Sequence, residues 1–168
     1  GAFSFSGGEA MVSTEHLASC ALATDFSGSY RAVARGSKAY ASAYRTLMQL
    51  NHTNALAVFQ KGKPAEAARL LDPWIVSAPS AQEYNAAIYN DYGYFLQQAG
   101  DRLQAINIFT QVKTRSPKRV AVYLNLADSL WAVRDIAKAK DIYRHYREMM
   151  EKAGQAEKIP DRVVERSR

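Results

Sequence analysis

The sequence predicts an all-α fold built from repeated helical pairs, and three observations lead to that reading. No stretch sustains the period-two alternation of a half-buried strand, and no Asn-Gly or Asp-Gly hairpin turn occurs. From about residue 37 onward, helix start and stop signals follow one another at short, regular intervals. Finally, the chain resembles itself: Gly93 with Ala127, Gly100 with Arg134, Ala105 with Ala139 and Phe109 with Tyr143 all pair at one offset of thirty-four residues.

Each element follows from its own chemistry. Tyr40, Tyr44 and Leu47 share a helical face, so a first helix is expected from Ser37, with Asn51-His52-Thr53-Asn54 as a signal that would break it. Gly62-Lys63-Pro64 separates a helix ending near Lys61 from one opening at Pro64, and Asp72-Pro73 is expected to interrupt that second helix. Ser80-Ala81-Gln82-Glu83 has the composition of a capping box, predicting a helix from there to about Ala99. Gly100 ends it in a left-handed conformation, and Asp101 caps the next, which runs to Arg115. Ser116-Pro117 repeats the start signal for a helix to about Arg134. Asp135 then caps a helix to about Ala153, where Gly154 stops it.

A helix-turn-helix unit with this period resembles the tetratricopeptide repeat (TPR) family. The family's order of residues is a large one, a Leu-Gly pair, a second large one, an alanine, an aromatic and a closing proline. It falls on Tyr89, Tyr92-Gly93, Leu96, Ala105, Phe109 and Pro117 in the unit 86–117. The unit 120–151 supplies Tyr123, Leu126-Ala127, Leu130, Ala139 and Tyr143 without the proline. An earlier unit, 48–79, supplies Ala55, Val58, Ala67, Leu71 and Pro79, but has Asn51 and Asn54 where large apolar residues are usual. The resemblance implies a right-handed α-solenoid over 37–168, closed by a C-terminal capping segment, 155–168, with Ile159, Val163 and Val164 on its apolar side. Residues 1–36 form an N-terminal extension, partly irregular, that admits a short helix over 14–23.

Composition narrows the function. The chain has 168 residues, 48% of them apolar, which is enough to bury a core, and a single cysteine, which excludes an internal disulfide framework. No apolar run reaches the length of a membrane span. The net charge of +6 lies entirely after residue 110, where fourteen Lys and Arg face eight Asp and Glu. Those charges alternate at helical neighbour spacings, as in Lys138 with Asp135 or Arg147 with Glu151, which suits a solvated face rather than a nucleic-acid site. The compartment stays open between cytoplasm and periplasm.

Chemistry is weakly signalled. His16, His52 and His145 lie in no metal-binding motif, and no phosphate loop or nucleophile elbow occurs, so neither a metal nor another cofactor is expected. His16 and Cys20 stand four apart, the spacing a thiolate and its base would use on one helix face, so an enzyme built on the N-terminal segment is one alternative. The family resemblance implies partner binding instead. Its ligand-facing positions on the first helices map to Gln49, His52 and Phe59, then Asn90, Tyr94, Gln97 and Gln98, then Leu124, Asp128 and Trp131. Amides there can pair with an extended peptide backbone, and Tyr94 and Trp131 offer apolar area with a polar handle. That face is amide, aromatic and acidic, unlike the basic grooves with which some members of the family grip chaperone tails. The function expected is a non-catalytic interaction module for a protein or peptide, an adaptor or assembly factor, with an immunity-type inhibitor of a toxin or enzyme as the first alternative and the N-terminal enzyme as the second.

Overall fold

The computed structural model describes residues 2–6, 9–13, 28–76 and 83–168. The helix expected over 14–23, with His16 and Cys20, lies outside the described residues. The chain divides into two compact units, Gly1–Ala43 and Tyr44–Arg168.

The first unit holds a three-stranded antiparallel sheet that the sequence reading missed, β1 (Ala2–Ser6), β2 (Glu9–Ser13) and β3 (Gly28–Arg31), in the order β1-β2-β3. Its signal is present but short: Phe3 and Phe5 alternate with Ser4 and Ser6, and the register pairs Ser6 with Glu9 across two glycines.

The helical elements are α1 (Lys38–Gln60), α2 (Pro64–Ile75), α3 (Ala86–Ala99), α4 (Arg102–Arg115), α5 (Val120–Ala132), α6 (Ile136–Lys152) and α7 (Asp161–Arg166). A 3₁₀ turn, Ala156–Lys158, precedes α7. The second unit begins at Tyr44, within α1. From α2 to α6, consecutive helices pack as antiparallel neighbours, and α5 also touches α3. Among the described residues no helix is long and apolar enough to cross a membrane.

Four boundaries depart from expectation, each for a local reason. The polar run 51–54 does not break α1, because Asn51 and Thr53 donate to the carbonyls of Leu47 (2.9 Å) and Gln49 (3.2 Å), four residues back, instead of competing with the helix. Pro73 stays inside α2, where it removes one amide from the last turn, and the Val76 amide still reaches the Asp72 carbonyl at 2.9 Å. The capping box at Ser80 does not start α3. Glu83 pairs with Arg45 at 2.8 Å, and Asn85 is the cap, its Oδ1 accepting from the amides of Ala87 (2.9 Å) and Ile88 (3.2 Å). Ser116-Pro117 does not open α5 either; the Ser116 amide closes α4 on the Val112 carbonyl (2.8 Å), and α5 begins three residues beyond Pro117.

The core repeats with the sequence. Ala67, Ala105 and Ala139 are fully buried, as are Leu71, Phe109 and Tyr143 one turn further along the same helices. Ala55 and Ala127 are fully buried on the facing helices, and Gly93, between them in the series, is buried too. A Cβ on Gly93 would stand 2.6 Å from Cε1 of Phe109, so α3 and α4 meet at a distance only glycine permits. Small residues set the helix spacing, and the aromatics fill around it.

Candidate partner-binding cleft

The first helices of the second and third repeats, α3 and α5, run side by side and are tied by their amides. Asn125 donates to Asn90 Oδ1 (3.3 Å), and Gln97 donates to the carbonyl of Asn125 (3.2 Å) and to Ser129 Oγ (2.9 Å). Asn90 also approaches Asp91, whose Oδ2 holds the His52 ring at 2.9 Å. A polar chain therefore crosses from α1 through α3 to α5, one repeat at a time.

Above that chain lies an open cleft of about 840 Å³. Asn90, Tyr94, Gln97, Gln98, Leu124 and Asp128 line it, so the structure gathers six of the expected partner-facing residues into one site. The groups left to face a partner are Tyr94 and Gln98, both exposed, and the half-exposed Leu124. Asn90 is buried and Gln97 half-buried, both spent on joining helices.

The remaining four lie elsewhere. His52 is buried, with Nε2 on Asp91 and Nδ1 lacking a partner among the described residues. Phe59 stacks on Phe95 at 4.8 Å and leans on Tyr94 at 5.6 Å, so it supports the wall of the site from beneath. Gln49 lines a separate hollow of about 430 Å³ with Arg45 and Glu83. Trp131 faces the C-terminal helix, with the Arg166 guanidinium 4.8 Å from its ring centre and Tyr143 edge-on at 6.3 Å.

The acidic character expected of the face does not survive in three dimensions. Asp128 is held in a fork by Arg162 of α7, Nε to Oδ1 at 3.1 Å and Nη2 to Oδ2 at 2.9 Å, with Arg166 at 3.6 Å. Tyr143 donates to the same carboxylate at 2.5 Å and accepts from Arg166 at 2.9 Å. Burial first, then the hydrogen bond to Asp128, push the Tyr143 phenol up to about 12, with Arg166 pulling the other way. The hydrogen bond to Asp128 raises the Arg162 pKa above its ordinary value. Arg102, at the start of α4, adds a third cation to the lining.

Sequence reasoning missed Asp91, Asn125, Arg102, Arg162 and Arg166. Asn125 was within reach, since it stands thirty-four residues after Asp91 on the repeated face. Arg162 and Arg166 stand four apart and share one side of α7, next to the buried Val163.

An all-helical array whose antiparallel pairs repeat this small-small-aromatic code has a TPR-like fold. The TPR domain of Arabidopsis OM64 has the same fold: it superposes with a TM-score of 0.60 at 15% identity, over 71% of this chain and 96% of that one. No family model matches the sequence, and none of the curated proteins does. At this identity the likeness concerns the fold alone.

Proposed function

We propose that the chain is a non-catalytic interaction module whose helical domain, 37–168, binds a peptide or protein partner in the cleft between α3 and α5, and that it serves as an adaptor or assembly factor. The observation that carries this reading is the cleft itself. Six residues of the face that repeats along the first helices line one open site of about 840 Å³, a volume suited to several side chains of a bound segment. Tyr94 brings an aromatic anchor, Leu124 an apolar patch, and Gln98 an amide for a peptide backbone. The TPR fold supports a protein partner over a small-molecule substrate.

Capture from lysate of the native cell on the immobilised chain, with mass spectrometry, identifies the partner. Against that partner, Tyr94→Ala and Leu124→Ala should each weaken binding by about 1–2 kcal/mol, while Lys138→Ala and Arg147→Ala on the outer faces should change it by less than about 0.5 kcal/mol. Equal losses from both sets would place the contact surface elsewhere.

A further inference from the structure

The cleft carries an uneven charge that neither the repeat pattern nor the net charge of the chain announces. Three cations line it, Arg102, Arg162 and Arg166, against two carboxylates, Asp91 and Asp128. Their placement matters more than their sum. The contacts of Asn90 with Asn125 and of Gln97 with Ser129 show α3 and α5 running parallel, so Asp91 marks the end of the cleft nearer the starts of these helices. Arg102 follows immediately on the end of α3. Arg162 and Arg166 share one carboxylate, Asp128, in the second half of α5. Asp128 neutralises one of that pair, which leaves one unit of positive charge there besides Arg102. Arg102 itself makes no ion pair among the described residues.

We infer that the cleft takes an extended peptide segment bearing side-chain carboxylates, seated with its acidic end against Arg102 and Arg166 and its uncharged or basic end toward Asp91. This rests on the cleft being the partner site. At the end away from Asp91, Arg102 and one of the pair Arg162 and Arg166 stay unbalanced, and a single carboxylate would offset one of these two cations, so two acidic side chains match that end better than one. Tyr94 and Leu124, between the two ends, accept apolar side chains interspersed among them. Asp91 repels an acidic group at the far end and so sets the direction in which the segment lies. The cations come from the opening of a second helix and from the C-terminal helix, so α7 acts both as the cap of the solenoid and as a wall of the site.

The test is an array of random-sequence peptides, all acetylated and amidated so that only side chains carry charge, probed with the labelled full chain. Bound peptides should be enriched in Asp and Glu over neutral and basic ones by roughly tenfold, and added salt should erode the enrichment. Arg102→Glu should abolish or reverse that preference. The substitution places an acid in the first turn of α4, where the helix dipole favours it, so folding is preserved. Lys118→Glu makes the same charge change in the exposed turn before α5 and should leave the preference intact. Peptides captured without charge bias, or with a bias unaltered in Arg102→Glu, would overturn the acidic-ligand assignment while leaving the cleft as a partner site. An array that captures nothing would sink both.

Discussion

At the scale of single residues, Gly93 has the most crowded position among the described helical glycines. The Phe109 ring that an added methyl would strike has no accessible surface, so it has nowhere to move. Overpacking of this kind costs about 1–3 kcal/mol, whereas alanine regains about 1 kcal/mol of helix propensity over glycine. Gly93→Ala should therefore lower stability by up to about 2 kcal/mol in urea unfolding, and Phe109→Leu in that background should cost less than it does in the wild type. Equal losses from Phe109→Leu in the two backgrounds would show that the helices can separate freely, contrary to the packing described. The same scale sorts the site residues. Asn90 and Gln97 have the chemistry of ligand contacts, but their partners are Asn125 and Ser129, and only geometry distinguishes an amide that waits for a peptide from one that joins two helices.

At the scale of elements, the turn between paired helices is built the same way each time, with one exception in residue type. Gly62 and Gly100 take the left-handed conformation after α1 and α3, with φ of 76° and 92°, and Arg134 takes it after α5 with φ of 67°. A side chain in that region costs about 1–2 kcal/mol, partly balanced by the smaller entropy it loses on folding. Arg134 is exposed, so nothing else is lost with it, and Arg134→Gly should raise stability by up to about 1 kcal/mol, read as an upward shift of the thermal midpoint. An unchanged or lower midpoint would show that the arginine holds the turn by its side chain. The junction of α5, α6 and α7 makes a second prediction. Tyr143 deprotonates near its ordinary value of 10 when unfolded and near about 12 when folded. Its contribution is thus intact below the unfolded value and is lost as pH rises through the folded one. Between those values Tyr143→Phe should show a stability that falls less steeply with pH than the wild type, by up to about 1.4 kcal/mol per pH unit, the effect of one proton. Parallel slopes would mean that the phenol is not shielded.

At the scale of the whole molecule, what the sequence discloses is what repeats. Ala67, Ala105 and Ala139, with Leu71, Phe109 and Tyr143, are legible because each helical pair solves the same packing problem, so the constraint is printed several times at a fixed distance. Signals that occur once are less legible. The capping box at Ser80 fails because Glu83 is taken by Arg45, thirty-eight residues away, and the short alternation around Phe3 is too brief to stand out beside the helical pattern. By itself the sequence determined the helical class, the repeat length, the small-residue contacts and six of the residues that line the cleft, since these depend on local spacing. Only the tertiary structure decided the charge of that cleft and which of its amides are free. Asp128 lies thirty-four residues from Arg162, and the two meet only when α7 folds back against the third repeat. Electrostatics depends on distance in space, and a pairing that occurs once leaves no period in the sequence to read.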